Sequence, residues 1–243
     1  MPKITFRARS KTDFETQLKP VPAATLLPEW WRKQPPYNIS PDNPDGKKFV
    51  LMNRASNASP KKCTPMLDAI VSGYIIQLWA DVKIERSPSP QDIPPSMKWQ
   101  THADIFSMHG DAAHNLPHPP GYTKWVFKYS NCWIPETPKG YSILVTAPVG
   151  LRDAALLAIP AIVDSDRSTL ELAFPMWVRD DFDGIVEKGT PLVQLTPFKR
   201  ENWTSEFTYY ENGYYYNVIE ERNFSSTLLN HYVKNAWSKK TYK

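Results

Sequence analysis

The stretch of sequence that decides the fold runs from residue 159 to residue 195 and reads IPAIVDSDRSTLELAFPMWVRDDFDGIVEKGTPLVQL. Short apolar runs alternate in it with turn signals, namely Asp164-Ser165-Asp166 and Glu187-Lys188-Gly189. Short strands separated by turn residues at this spacing are typical of an antiparallel sandwich or barrel. The stretch therefore predicts a mainly β fold.

The same alternation continues towards the N-terminus of this stretch. Residues 123–129, 132–134 and 141–147 are short apolar runs bounded by Pro, Gly or Asp. Residues 66–84 are rich in β-branched and aromatic side chains, and we interpret them as one or two strands with Gly73 as a bulge. We expect residues 63–203 to form a compact β sandwich or distorted barrel.

Both ends of the chain differ from this core in composition. The chain has 24 Pro and 9 Gly, and the prolines recur through residues 1–62, which argues against a long helix or a central strand there. We predict a Pro-rich N-terminal arm packed on the core, with one short helix that opens at Pro28. In residues 204–243 we predict an aromatic hairpin centred on Asn212-Gly213, followed by a helix capped by Ser225 or Ser226.

Charge and cysteine usage exclude several classes of function. The formal net charge is +4, from 29 basic and 25 acidic residues, without a basic face interleaved with aromatic residues, so sequence-specific nucleic-acid binding is not expected. No run reaches about 18 apolar residues, so we expect no membrane span. Cys63 and Cys132 are isolated and give neither a metal nor a disulfide signature. The N-terminus lacks the apolar run of a secretory signal, so the protein is not expected to be secreted.

Two segments carry a resemblance to a known superfamily. Residues 161–166 and residues 186–195 resemble the Asp-x-Asp turn and the later Gly-to-Gln-Leu strand of the trimeric deoxyuridine triphosphatase and dCTP deaminase superfamily. The resemblance implies a β-clip fold and a trimer. It also implies a catalytic role for Asp164, which would orient or deprotonate the attacking water, with Asp166 beside it.

The resemblance implies ligand contacts at other positions of the same region, and the sequence departs from the superfamily pattern at several of them. Arg167 stands where the superfamily has a sugar-stacking Tyr, and Arg152 is displaced from the phosphate-handling motif, which lacks its Ser. The Gly-rich C-terminal lid is missing from the sequence. The candidate ligand-binding residues are Arg152, Arg167, Gln194 and Tyr141.

A structural interpretation stands beside the catalytic one for these residues. Asp side chains in tight turns commonly accept hydrogen bonds from nearby backbone amides, so Asp164 and Asp166 are also typical of a purely structural turn. Gln194, inside an apolar strand, is equally typical of a core or inter-subunit amide whose hydrogen bonds are all made.

A second resemblance covers nearly the whole chain. The Pro-Glu-Trp-Trp segment at residues 28–31, the segment 62–76, the segment 139–142 and the segment 189–191 are similar to landmarks of an uncharacterised family of tailed phages and some bacteria. This resemblance implies a phage origin and therefore a location in the host cytoplasm or the virion.

Histidines form a third candidate site. Four of the five histidines, His102, His109, His114 and His118, cluster in sequence, with Asp104 and Asp111 near them. Such groups can ligate Fe²⁺ or Zn²⁺ on a cupin-like barrel, and the candidate ligands are His102, His109 and His114. No His-x-His pair lies on one strand, so solvated or turn histidines are the alternative. We expect no cofactor, with a divalent metal as the other option.

Taken together, these patterns favour a phage-type protein that works through binding and assembly. The arm and tail suit a homo-oligomer, with a trimer favoured by the superfamily resemblance, and a virion or host protein is the second partner expected. The alternative is an enzyme or small-ligand binder with a pocket near Asp164 or the histidines. The aromatic stretch from residue 203 to residue 216 suits either subunit packing or the stacking of bases and sugars.

Overall fold

The computed structural model describes residues 2–49, 51–52, 55–90, 92–151, 153–168, 172–211, 213 and 231–243. The strands of this part are β1 Thr5–Ala8, β2 Val21–Pro22, β3 Leu51–Met52, β4 Ala55–Ser56, β5 Tyr74–Gln77, β6 Val82–Glu85, β7 Ser96–Lys98, β8 Phe106–Met108, β9 Tyr122–Ser130, β10 Trp133–Glu136, β11 Tyr141–Thr146, β12 Leu156–Ala158, β13 Ala161–Val163, β14 Ala173–Arg179, β15 Gly184–Val186 and β16 Pro191–Lys199. The α-helices are α1 Lys11–Thr16, α2 Glu29–Lys33, α3 Thr64–Val71 and α4 His231–Asn235, and short 3₁₀ helices span Ala23–Thr25, Pro60–Lys62 and Asp111–Asn115.

The chain divides into two compact units. The first comprises residues 1–26 and 72–200 together with residue 242, and the second comprises residues 27–71, 201–241 and 243. In the first unit β13-β11-β16-β5-β2 form a five-stranded sheet and β12-β14-β9-β8 a four-stranded sheet. A three-stranded sheet, β15-β6-β7, and the pair β1-β10 complete it, and all of these pairings are antiparallel.

The core of the first unit lies between its sheets. Side chains from the five-stranded sheet, such as Ile143 and Leu195, join those from the four-stranded sheet, such as Tyr129 and Met176, in one buried cluster. The hydroxyl of Tyr129 donates to the carbonyl of Gln77 over 2.8 Å, and burial raises the pKa of this phenol. Two sheet faces that share one apolar layer make a sandwich.

The predicted mainly β, sandwich-like fold is confirmed. Several antiparallel sheets dominate the described residues, with few helices, and none of the sheets in this part of the chain closes into a barrel. None of the described helices has the length and apolar character needed to cross a bilayer.

One predicted strand segment is wrong in part. Within residues 66–84, only residues 74–77 and 82–85 are strands, whereas Thr64–Val71 is the helix α3. Gly73 follows the helix with φ +72°, and a Cβ there would lie 2.0 Å from the carbonyl oxygen of Leu195. This glycine therefore lies just before β5 with a left-handed backbone and in close contact with Leu195, and it is not a bulge within a strand.

The Pro-rich N-terminal segment contributes to both units. Its residues 5–8 pair with β10 and its residues 21–22 add a last strand to the five-stranded sheet, both edge positions that tolerate proline. The predicted short helix after Pro28 is confirmed as α2.

In the second unit the side chain of Asn43 is fully buried and makes hydrogen bonds with the backbone of Asn38 and of Lys48, which fixes the turn between them.

The predicted C-terminal hairpin falls mostly on residues outside the described part, which omits residue 212 and residues 214–230. Of the predicted C-terminal helix, the described portion is α4. After α4, the indole of Trp237 and the ammonium of Lys240 both donate to the carboxylate of Asp68 on α3, over 2.8 and 2.6 Å. These bonds fix the last residues of the second unit to its helix.

Candidate functional site

The Asp-x-Asp turn and one arginine are brought together by strand register. In the five-stranded sheet β11 lies between β13 and β16, with Ile143 opposite Val163 and Tyr141 opposite Lys199. The residues that leave β13 therefore meet the residue that leaves β16, beside the start of β11. Those residues are Asp164 to Asp166 on one side and Arg200 on the other.

Asp166 is held on all sides. Its carboxylate accepts both terminal nitrogens of Arg200, with Nη1 2.8 Å from Oδ1, and it also accepts the backbone N–H of Gly140 over 2.8 Å. Its side chain is only 2% exposed. The hydrogen bonds from the Arg200 guanidinium, and secondly the one from the Gly140 N–H, hold the pKa of Asp166 well below its usual range. The hydrogen bonds to Asp166 in turn raise the pKa of Arg200.

Asp164 is held more loosely. The buried hydroxyl of Ser142 donates to its Oδ1 over 2.6 Å, and Nη1 of Arg200 lies 3.1 Å from the same oxygen. The Ser142 hydrogen bond is the largest cause of a lowered pKa for Asp164, and the charge of Arg200 adds to it. Half of the side chain, 51%, stays exposed to solvent.

Tyr141 and Arg167 take part in this turn through their backbones. The carbonyl of Tyr141 accepts Arg200 Nη1 and the hydroxyl of Thr137, each over 3.1 Å. The backbone N–H of Arg167 donates to the carbonyl of Asp164 over 3.0 Å, while its side chain is exposed. Arg152, the fourth candidate of this group, lies outside the described residues.

Chemically, this arrangement suits a structural turn better than a proton-transfer site. A general base must accept a proton near the working pH, and a lowered pKa weakens that ability. A phosphate-binding arginine must also leave its guanidinium open to the ligand, whereas Arg200 is engaged by two carboxylates and a carbonyl. The geometry therefore supports the structural interpretation of Asp164 and Asp166.

Gln194 lies apart from that turn and is 1% exposed. Its Oε1 accepts the backbone N–H of Val149 over 2.8 Å, and its Nε2 donates to the carbonyl of Ser72 over 2.7 Å. The amide thus joins the loop after β11 to the residue before Gly73. This is the environment of a core amide with its hydrogen bonds made, the structural alternative given above for this residue.

Comparison with known proteins adds no family to this picture. No protein-family model and no curated protein matches the chain. The two resemblances noted in the sequence therefore stay predictions.

The three histidines do not assemble a metal centre in the described part of the chain, where no three His, Cys, Asp or Glu side chains lie together in a group able to hold an ion. His102 is exposed, and the backbone N–H of His109 donates to the carbonyl of Val126 over 2.9 Å. His114 packs edge-on against Trp125 with ring centroids 4.8 Å apart. The metal site stays a prediction without support from this geometry.

Arg200 is the residue that the sequence reasoning missed. It was not among the candidate site residues, and its partners Asp164 and Asp166 are more than 30 positions away in the sequence. One signal was present: two carboxylates in one turn favour a neighbouring cation, and Arg200 directly follows β16, a strand of the same sheet.

A different feature marks the segment that follows Arg200. Residues 201–211 contain neither helix nor strand, and three of their aromatic side chains are largely exposed: Trp203 at 85%, Phe207 at 94% and Tyr209 at 78%. The segment also carries Glu201, Glu206 and Glu211, and none of the chain's 29 basic residues. Exposed apolar side chains this close together are more typical of an interaction surface than of the rest of a protein surface.

Proposed function

We propose that this protein works by association, as a phage-type assembly or host-interacting protein on a dUTPase-like β scaffold that does not carry dUTPase chemistry. The observation that carries the proposal is the exposed aromatic segment at residues 203–209. Leaving Trp203, Phe207 and Tyr209 in water forgoes the free energy of their burial, about 2 kcal/mol for a Phe-sized side chain, which a partner surface recovers.

The partner that covers this aromatic segment is a second copy of the chain. Its three glutamates make the segment acidic, whereas the chain as a whole has a formal net charge of +4, so the rest of the chain carries a net positive charge. Opposite charges steer association and set the register of an interface. A homo-oligomer, with a trimer as the favoured form, uses this complementarity in each subunit, and the assembled particle then contacts virion or host proteins.

The oligomeric state of the full chain tests the proposal. Light scattering coupled to size exclusion should give a multiple of 27.9 kDa for the wild type at micromolar concentration and the single-chain mass for Trp203→Ser/Phe207→Ser/Tyr209→Ser. A matched control replaces three other exposed apolar residues, Ile39→Ser/Ile93→Ser/Leu116→Ser, and should keep the oligomer. A single-chain wild type, or a control that dissociates equally, contradicts the proposal.

The enzymatic alternative is tested on the same preparations. Incubation with dUTP and Mg²⁺ should release no pyrophosphate above the buffer blank. Turnover that disappears in Asp164→Asn, while the melting temperature of that variant stays unchanged, would instead assign Asp164 a catalytic role.

A further inference from the structure

A cleft of about 340 Å³ opens in the first unit, and none of its described lining residues belongs to the turn at residues 164–166. Its wall is built from the loop before β12, from β15 and from the start of β16. The lining includes the apolar side chains of Leu151, Leu156, Phe182, Ile185 and Leu192. Its size falls within the range of about 300–1,000 Å³ that is typical of small-molecule sites.

The loop before β12 is held in an unusual conformation. Asp153 has φ +52°, the left-handed region that costs a non-glycine residue about 1 kcal/mol. Arg179 holds it there, since its Nη1 donates to the carbonyl of Asp153 over 2.8 Å. The hydroxyl of Tyr122 holds the next carbonyl, that of Ala154, over 2.9 Å. Strain that the surroundings impose in this way is common at ligand sites.

The opposite wall is also fixed in advance. The hydroxyl of Thr190 donates to the carbonyl of Glu187 over 2.7 Å, which closes the turn between β15 and β16. The backbone N–H of Lys188 donates to the carboxylate of Asp81 over 2.6 Å. Walls that are ordered before binding lower the entropic cost of taking a ligand.

Among the described residues that line the cleft, the charged ones are both acidic, namely Asp153 and Glu187. Among the residues that the structure describes, neither carboxylate has a hydrogen-bond or ion-pair partner. Both carboxylates thus keep their acceptor capacity, in a lining that also contains apolar side chains.

We propose that this cleft binds a small organic cation, an amine or guanidinium carried on an apolar stem or ring. The apolar part packs on Ile185 and Leu192, and the charged head donates to Asp153 and Glu187. Charge-assisted hydrogen bonds of this kind are stronger than neutral ones, and the apolar side chains exclude competing water from the stem. The proposal stands independently of the association proposed above, since it uses none of residues 201–211.

The first test is a charge series on the full-length protein. Calorimetric titration with phenethylamine and with benzamidine should saturate with Kd in the low millimolar range, as expected for probes of about nine heavy atoms. The neutral 2-phenylethanol and the anionic 3-phenylpropionate, which share the ring and stem, should show no saturation at about 10 mM. Equal binding of 2-phenylethanol, or no binding of either cation, overturns the proposal.

Variants locate the site. Asp153→Asn removes the charge and keeps a residue type that tolerates positive φ, and Glu187→Gln is isosteric. Each should raise the Kd of phenethylamine about fivefold, and the double variant more than tenfold. Glu15→Gln, an exposed acid on α1, is the matched control and should leave the Kd unchanged.

A third variant guards against an effect on folding. Ile185 is 61% exposed, so Ile185→Lys should fold normally and place a cation at the mouth of the cleft. It should abolish phenethylamine binding by charge repulsion. Wild-type affinity in Ile185→Lys, or in the folded double variant Asp153→Asn/Glu187→Gln, places the cation elsewhere and overturns the proposal.

Discussion

The turn at residues 164–166 and the cleft between residues 151 and 192 each present two carboxylates, yet these carboxylates differ in what surrounds them. In the turn, Asp164 and Asp166 share the guanidinium of Arg200 and accept further bonds from Ser142 and Gly140. In the cleft, the described residues supply no partner for the side chains of Asp153 and Glu187. A carboxylate that the fold itself satisfies serves stability, whereas one left open beside apolar side chains is available to a ligand.

The largest effect is expected from removing the shared cation. Arg200→Met leaves the nearly buried carboxylate of Asp166 with Gly140 alone and sets it against Asp164, and an uncompensated buried charge is among the most destabilising changes. The melting temperature should fall by many degrees, or the protein should fail to fold. Arg167→Met, which removes an exposed arginine of the same turn, is the control and should melt near the wild type. Equal melting temperatures for Arg200→Met and Arg167→Met would contradict the claim that Arg200 stabilises the turn through its carboxylate partners.

Strand register explains why the turn at residues 164–166 could be predicted from the sequence but its pairing with Arg200 could not. The alternation of short apolar runs with turn residues is local, so the apolar runs at residues 123–129 and 141–147 predicted strands close to β9 and β11. The pairing of Arg200 with Asp164 and Asp166 depends on β11 lying between β13 and β16, which no local pattern encodes. The cleft is hidden from the sequence as well, because its lining residues, such as Leu156 and Leu192, come together only in the folded chain.

The helix α3 was mistaken for strand for a different reason. Its eight residues, TPMLDAIV, are rich in apolar residues and end in the β-branched pair Ile70-Val71. A short apolar run does not distinguish a buried strand from a buried helix by periodicity alone. Gly73, which precedes β5, has a positive φ and lies close to the backbone of Leu195, and both features are visible only in the folded chain.

Acid should weaken the turn in a defined direction. Asp166 has a lowered pKa in the folded state, so the unfolded chain takes up its proton first, near the ordinary value of about 4. The ionised Asp166 therefore stabilises the folded state fully above the unfolded pKa, and this contribution is lost as the pH falls through the folded pKa. The gap in melting temperature between wild type and Asp166→Asn should therefore shrink between about pH 6 and about pH 3. A gap that widens on acidification would contradict the pairing with Arg200.

One measurement compares the two regions directly: the thermal unfolding, at neutral pH, of Asp164→Asn/Asp166→Asn beside Asp153→Asn/Glu187→Gln. Each double variant removes two negative charges, so net charge changes equally. The turn variant should melt several degrees below the wild type, and the cleft variant within about 2 °C of it, as for ordinary surface changes. Equal losses in both, or a loss confined to the cleft variant, would contradict the claim that the turn's carboxylates stabilise the fold while those of the cleft are open to a ligand.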